Sequence, residues 1–183
     1  MKKICSNISF IVILLHIAIC GKADPLPIRS GNRPKTTDGV PHKQIGIKAV
    51  KSINKELQKM TFLIPGIKKG ASFTPYANAV GIHLSPNTPI KNFNALLSGK
   101  EFSHFHPDGS LHAPLSKNRA KEAVNAGWAV FHPWAHKKKG WEGLVLIYTP
   151  SSKKQQKVVF QLIVDSFNYV TGLDINAAKY FTQ

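Results

Sequence analysis

The chain has 183 residues, about the length of one domain, and its 25 Lys and Arg against 9 Asp and Glu give a net charge of +16. Its two cysteines, Cys5 and Cys20, are too few for a disulfide-rich scaffold or a cysteine-based zinc site. With 43% hydrophobic residues it can build an ordinary core, and 19% charged residues are too few for a disordered polycation.

The N-terminus has the order of a secretory signal. Two lysines precede an apolar run over residues 8–20, and Gly21 and Ala23 follow. The pattern predicts residues 1–23 as a signal peptide cleaved near Ala23, and a secreted or periplasmic mature protein without cysteine. Because the run is shorter than the about 20 residues of a transmembrane helix, an uncleaved membrane anchor at residues 8–20 is the alternative.

Two segments of different character follow the signal. Residues 24–45 are rich in proline, glycine and basic side chains and lack apolar periodicity, which predicts an extended, solvated linker. From residue 46, apolar residues recur every three or four positions, which predicts an amphipathic helix ending near Met60 and lying flat on a sheet. The apolar positions are Ile47, Val50, Ile53, Leu57 and Met60.

The remaining elements alternate between strands and helices. Residues 72–84 predict one or two short strands, residues 128–133 and 144–148 two more, and residues 117–126 and 153–171 two helices. Together with the hairpin described next, this order predicts an α+β fold in one domain over residues 46–176, with helices packed on a mainly antiparallel sheet. Residues 177–183 are expected to form a tail.

The segment Glu101 to Ser116 contains the turn that decides the geometry of the candidate site. Pro107 and Asp108 suit the central positions of a type I turn, and Gly109 can adopt the left-handed conformation that follows. This order favours a three-residue loop that closes on His106 and Ser110. Asp108 is therefore interpreted as a turn former rather than a catalytic acid.

The loop length sets which side chains share a face of the hairpin. With three loop residues, Phe105 faces Leu111 and His104 faces His112, so His104, His106 and His112 lie on one face, because side chains alternate along a strand. A two-residue turn would instead move His112 to the opposite face and break the cluster.

Four histidines are the candidate catalytic residues: the three of the hairpin and His132 of a later strand. Imidazole exchanges protons near neutral pH and is also the commonest neutral metal ligand. The His-x-His spacing of His104 and His106 occurs in metal-binding oxygenases that also supply a nearby glutamate, which is absent between residues 101 and 122. Three histidines, His104, His106 and His112, can still hold a first-row metal.

The alternative is that these side chains are structural, half-buried and satisfied by backbone groups. A single strand histidine is more often of this kind, and His83 and His136 are interpreted so. Three histidines aligned by one turn, with a fourth in the strand that begins with Trp128, favour a functional cluster.

Several motifs of the second half of the chain occur together in one known family. Over roughly Phe102 to Gly172, the chain resembles the luciferase-domain family, which takes its name from the fungal luciferase of bioluminescent mushrooms. It departs from the family pattern at Ser151, where an arginine is usual, and at Ala129 and Val130. The residues that carry the resemblance are His104, His106, Ser110-Leu111-His112, Gly127-Trp128, His132-Pro133, Tyr148 and Pro150.

The resemblance implies oxygenase chemistry, in which a hydroxylated α-pyrone is deprotonated and reacts with O2 to a peroxidic intermediate that decomposes with light emission. It suggests His104 and His106 as bases or metal ligands and His112 and His132 as hydrogen-bonding partners. Trp128 and Tyr148 would be aromatic walls that bind the substrate. We expect oxygenase-like catalysis on a small aromatic or polyketide-like compound, with O2 as co-substrate, the cofactor unknown and a histidine-bound metal left open.

Two further functions remain alternatives. One is a non-catalytic secreted protein that binds a small ligand or a metal in the histidine pocket. The other is polyanion or cell-surface binding through residues 137–139 and the lysines at 153, 154 and 157. Because no nucleic-acid motif is present, no specific nucleic-acid partner is expected, and a solvated basic face with weak attraction to anionic surfaces is favoured.

Overall fold

The computed structural model describes residues 25–74 and 76–181, so the expected signal peptide and both cysteines lie outside the described residues. Within them, three α-helices and six β-strands alternate along the chain, with short 3-10 turns at Phe93–Ala95 and Ala177–Tyr180. The elements are α1 Lys51–Phe62, β1 Ile67–Ala71, β2 Val80–Leu84, β3 Glu101–Phe105, β4 Leu111–Pro114, α2 Lys117–Asn125, β5 Ala129–Phe131, β6 Leu144–Ile147 and α3 Lys153–Thr171.

The strands form one antiparallel sheet in the order β1-β2-β3-β4-β6-β5. The helix α1 packs against α3 and β1, α3 packs against β4, and α2 packs against β5. The predicted α+β class, with helices packed on a mainly antiparallel sheet, is confirmed. No helix in the described part of the chain combines the length and apolarity needed to cross a membrane.

The two faces of the sheet have different roles. Phe105 and Leu111 face each other across β3 and β4, and both belong to the hydrophobic core that includes Phe160 and Phe167 of α3. His104 and His112 also face each other, one position along each strand. Because neighbouring side chains alternate, these histidines lie on the face opposite the helices.

The hairpin between β3 and β4 has the predicted three-residue loop. The His106 amide donates to the Ser110 carbonyl (2.8 Å), and the Gly109 amide donates to the His106 carbonyl (3.0 Å). Gly109 has a φ of +80°, the left-handed conformation predicted for it. The turn therefore fixes the register that places the three hairpin histidines on one face.

Residues 25–45, here called the N-terminal strap, contain no helix and none of the six strands, as expected for a linker. The strap is nevertheless attached to the domain: the Arg29 amide donates to the Ala126 carbonyl (2.8 Å), and the Thr149 amide donates to Gln44 Oε1 (3.0 Å). His42 is 3% exposed and Gln44 6%. Most of the other strap residues are exposed, as expected for a solvated segment. The structure differs from the expectation in that the end of α2 and the residues after β6 hold the strap by hydrogen bonds.

Two element boundaries differ from the prediction. The first helix begins at Lys51 rather than near residue 46: Gly46 has a φ of +73°, and Val50, directly before the helix, has an extended backbone. Of residues 72–84, only Val80–Leu84 form a strand. Its partner β1 was not predicted, because it is an edge strand in which Lys68 and Lys69 are exposed and apolar alternation is missing.

Substituting Gly109→Ala tests the turn. A Cβ at this position would collide with Thr149 Oγ1 and lie 3.0 Å from Ala49 Cβ, at a φ that disfavours alanine. We expect the free energy of unfolding to fall by about 1–3 kcal/mol. The control is Gly39→Ala, where nothing lies within 4 Å of the added Cβ. Denaturant unfolding measures both, and equal stability of the two variants would contradict this account of the turn.

Candidate functional site

Five histidines surround one pocket on the face of the sheet opposite the helices. Each is buried, with exposures between 2% and 7%. The pocket has a volume of about 270 Å³, and aromatic side chains from neighbouring loops complete its wall. The histidines are His42, His104, His106, His112 and His132, and the aromatic residues are Phe73, Tyr76, Trp134 and Trp141.

The structure brings the four predicted histidines together. The ring centroids of His104 and His106 are 5.2 Å apart, those of His106 and His112 4.6 Å, and those of His112 and His132 4.7 Å. The three-residue strand β5 leads directly into His132. His132 lies two positions after Val130, which pairs with Leu146, the partner of His112. Strand alternation gives the face on which His132 lies, and the pairing of β5, β6 and β4 places it next to His112.

A fifth histidine, His42, was not predicted. It comes from the N-terminal strap, and its ring stacks on His112 with centroids 5.3 Å apart. Its Nδ1 lies 3.2 Å from His112 Nε2. The only sequence signal for this residue was its type, since the segment around it lacks periodicity.

Glu101 was also missed, although it is the anionic partner of the cluster. The carboxylate is 1% exposed and accepts hydrogen bonds from His104 Nδ1 (2.8 Å), Ser72 Oγ (2.7 Å) and the Phe73 amide (2.8 Å). Burial by itself would raise the pKa of Glu101, but the hydrogen bonds from His104, Phe73 and Ser72 hold it below its ordinary value. Glu101 is therefore an ionised acceptor in the pocket wall.

A β-bulge explains why Glu101 and His104 share a face although they are three residues apart. Ile82 of β2 pairs with Ser103, and the next residue, His83, pairs with Glu101, so the register shifts by one residue between them. A regular strand would place positions 101 and 104 on opposite faces. The bulge brings the carboxylate under the imidazole.

The hydrogen bonds around Glu101 set the proton positions on three rings. The ionised carboxylate only accepts, so His104 donates its Nδ1–H to it, and the Nε2 of the neutral ring carries no proton. That nitrogen lies 3.1 Å from His112 Nδ1, which must donate. His112 Nε2 then accepts from His42 Nδ1. A directional chain thus runs from His42 through His112 and His104 to Glu101 and leaves His42 Nε2 unprotonated.

The tautomer of His106 follows from the hairpin loop. Ser110 Oγ donates its single proton to Asp108 Oδ1 (2.6 Å) and lies 2.9 Å from His106 Nδ1. His106 must therefore donate from Nδ1, which leaves its Nε2 unprotonated. Its ring is stacked on Tyr76, with centroids 4.8 Å apart.

His132 has the opposite tautomer. Its Nδ1 accepts a hydrogen bond from the Trp134 amide (3.1 Å). A neutral imidazole carries one proton, so this proton lies on Nε2. His132 is therefore a hydrogen-bond donor at the pocket.

Burial keeps most of the cluster uncharged. It lowers the pKa of His42 and His132 to about 4 and that of His106 to about 3. Burial and the neighbouring imidazoles lower the pKa of His112 well below its ordinary value. At neutral pH these four side chains hold lone pairs that can accept a proton or bind a metal.

Two predicted site residues lie elsewhere. Trp128 and Tyr148 do not line the pocket; the Trp128 indole donates to the Pro27 carbonyl (2.6 Å), and the Arg29 guanidinium lies over the Tyr148 ring at 5.9 Å. Trp128 precedes His132 by four residues, and four residues of extended chain span about 13 Å. Trp128 therefore lies well away from the pocket along the sheet, at an end that the strap covers. The aromatic walls come instead from loop residues that the prediction did not name.

His83 and His136 lie outside the pocket. His83 Nε2 donates to the Ala71 carbonyl (2.8 Å) on the neighbouring strand, and His136 is exposed.

The buried neutral histidines predict a specific dependence of stability on pH. In the unfolded chain an imidazole has a pKa of about 6.5, against about 4 for His42 and His132 in the fold. Between these values the unfolded state binds more protons, so the free energy of unfolding falls as the pH falls below 6.5. From pH 7 to pH 5 the loss is about 2 kcal/mol for one such histidine.

Denaturant unfolding of the wild type and of His132→Gln measures this effect. The variant removes one of the titrating rings, so its free energy of unfolding should fall less steeply over the same range. A wild-type stability that stays constant or rises between pH 7 and pH 5 would contradict the neutral assignment.

Comparison with known proteins agrees with the sequence resemblance. Residues 99–166 match the family model of the luciferase domain. The chain is also 28% identical over 167 residues to a luciferase of Armillaria gallica, an alignment that covers 80% of this chain and 62% of that protein. No solved structure matches significantly. The resemblance to the luciferase-domain family, which includes four of the five pocket histidines, is thereby confirmed over residues 99–166.

Proposed function

We propose that this protein is an oxygenase-like enzyme that deprotonates a small aromatic or enolic compound in the histidine pocket and allows it to react with O2. The observation that carries the proposal is the chain of hydrogen bonds from His42 to the buried carboxylate of Glu101. The similarity to a luciferase supports the reaction class. In this proposal the enzyme works after export, as the N-terminal sequence predicts.

The pocket wall favours a planar ring compound. Its volume of about 270 Å³ is at the lower end for small-molecule sites, and the rings of Tyr76, Trp134 and Trp141 offer surfaces for stacking. Among the described lining residues, Glu101 is the one with a formal charge, and it is already hydrogen-bonded. A substrate that enters neutral and carries an acidic hydroxyl suits this environment.

His42 is the proposed proton acceptor. Its Nε2 is unprotonated in the hydrogen-bonded chain, and its Nδ1–H is donated to His112. When Nε2 takes the hydroxyl proton, the positive charge can pass along His112 and His104 toward Glu101. The carboxylate therefore stabilises the protonated cluster, as an acidic residue does for the histidine base of a hydrolase.

His132 is the proposed donor to the substrate oxygen. Its Nε2–H is available because the Trp134 amide occupies Nδ1. A fixed donor in a buried pocket stabilises the enolate that deprotonation creates. O2 then oxidises the enolate: a C–O bond forms at the electron-rich carbon, O2 is reduced to the peroxide level, and the proton held by the histidines returns to the peroxide.

The alignment limits what the relative implies. The chain spans less than two thirds of the Armillaria gallica luciferase, so light emission does not follow from the match. The proposal rests on the pocket, and it concerns proton abstraction and reaction with O2.

Oxygen uptake tests the proposal. A panel of hydroxylated pyrones and catechols is incubated with the full chain, and O2 consumption is measured together with luminescence. We expect turnover by the wild type and a fall in kcat of about 100-fold or more for His42→Gln, the usual range for loss of a general base. His83→Gln, outside the pocket, should stay within about twofold of the wild type.

Binding and turnover together decide between the proposed enzyme and a non-catalytic binder. If compounds of the panel bind to the pocket but none consumes O2, the protein is a binder and the enzyme proposal is wrong. If His42→Gln keeps full turnover while it remains folded by circular dichroism, His42 is not the proton acceptor.

A further inference from the structure

We infer that His104, His106 and His112 form a binding site for a first-row divalent transition metal such as Zn²⁺ or Co²⁺. The inference is independent of the proposed oxygenase function, because metal binding needs no substrate. It rests on the spacing of the three rings and on what each ring's second nitrogen contacts.

The three side chains have the spacing of a metal site. One nitrogen from each can be chosen so that all lie within 4.8 Å of one another, and all three rings are buried. His104 Nε2 and His112 Nδ1 are 3.1 Å apart. Two nitrogens at about 2.0–2.1 Å from a tetrahedral zinc are separated by about 3.3 Å, so small adjustments suffice.

The second nitrogens of His104 and His106 are held as in known metal sites. His104 Nδ1 donates to Glu101, and His106 Nδ1 donates to Ser110 Oγ, which donates on to Asp108. Such contacts to carboxylates and hydroxyls fix the ring orientation and make the other nitrogen more basic toward a metal. Both Nε2 atoms are therefore ligand atoms without any proton transfer.

His112 becomes the third ligand through a shift of protons within the cluster. Its Nδ1 is the nitrogen nearest His104 Nε2. The proton on Nδ1 moves to Nε2 and is donated to His42 Nδ1, whose own proton moves to its Nε2. Both rings stay neutral, so the net charge of the cluster changes only by that of the ion.

A second set of histidines is less suitable. His42, His112 and His132 also offer nitrogens within 4.8 Å. However, the free lone pair of neutral His132 is on Nδ1, which accepts from the Trp134 amide. Coordination by His132 would break that hydrogen bond or require a tautomer change that leaves the amide unpaired, a cost that the first set does not have.

The donor set selects the kind of metal. Three imidazoles suit zinc, cobalt, nickel and copper, whereas magnesium and calcium require mainly oxygen ligands. Three histidines also leave a tetrahedral position open to water or a substrate oxygen. Because coordination uses His112 Nδ1, a bound ion would interrupt the hydrogen-bonded chain from His42 to His104.

Metal titration of the untagged, chelator-treated full chain tests the inference. Co²⁺ binding is followed by its visible absorption and Zn²⁺ binding by calorimetry. We expect one equivalent of either ion, an affinity at least 100-fold lower for His104→Ala and for His106→Gln, and an affinity about 10-fold lower for Ser110→Ala, which removes only a supporting contact. His83→Gln and His136→Gln are controls for binding to other histidines and should match the wild type.

Two outcomes would overturn the inference. One is the absence of stoichiometric Co²⁺ and Zn²⁺ binding by the wild type at pH 7. The other is a loss of affinity in His132→Gln as large as that in His106→Gln, which would place the ion in the second set. Neither result depends on turnover, so the inference and the proposed enzyme activity can fail separately.

Discussion

The hydrogen bond between the buried Glu101 carboxylate and His104 Nδ1 sets the arrangement of the whole pocket. An ionised carboxylate cannot donate, so the proton on His104 is fixed, and the rings of His112 and His42 must orient accordingly. This bond also makes the burial of a charge tolerable, since Glu101 has three donors around it. One charged group in the pocket wall thereby gives a direction to the hydrogen bonds of the histidine cluster.

Both the sheet and the N-terminal strap contribute residues to the pocket. The sheet supplies three histidines on one face, and the hydrophobic core behind it keeps the hairpin in register. The strap supplies His42, and Val40 and Pro41 of the same segment line the pocket. The hydrogen bonds of Arg29 and Gln44 that attach the strap therefore support the functional site. If the strap detached, the pocket would lose His42, the first ring of the hydrogen-bonded chain.

The sequence predicted those parts of the site that depend on local rules. The Pro107-Asp108-Gly109 turn determined the hairpin register, and alternation placed His132 with the hairpin histidines. His42 could not be predicted, because only tertiary packing brings an aperiodic segment onto the sheet. Glu101 was missed because a bulge in the neighbouring pairing defeats the alternation rule. Alternation gives the face on which Trp128 lies but not its distance from the pocket along the strand. Trp128 therefore lies outside the pocket although it was predicted to line it.

Histidine side-chain ¹⁵N NMR of the metal-free, labelled full chain at pH 7 tests the central claim most directly. The account predicts protons on Nδ1 of His42, His104, His106 and His112 and on Nε2 of His132. It also predicts that substituting Glu101→Gln, which removes the charge that fixes the direction, mixes the tautomers of His104 and His112. A proton on His104 Nε2 in the wild type, or charged imidazolium rings at His106 and His112, would contradict it.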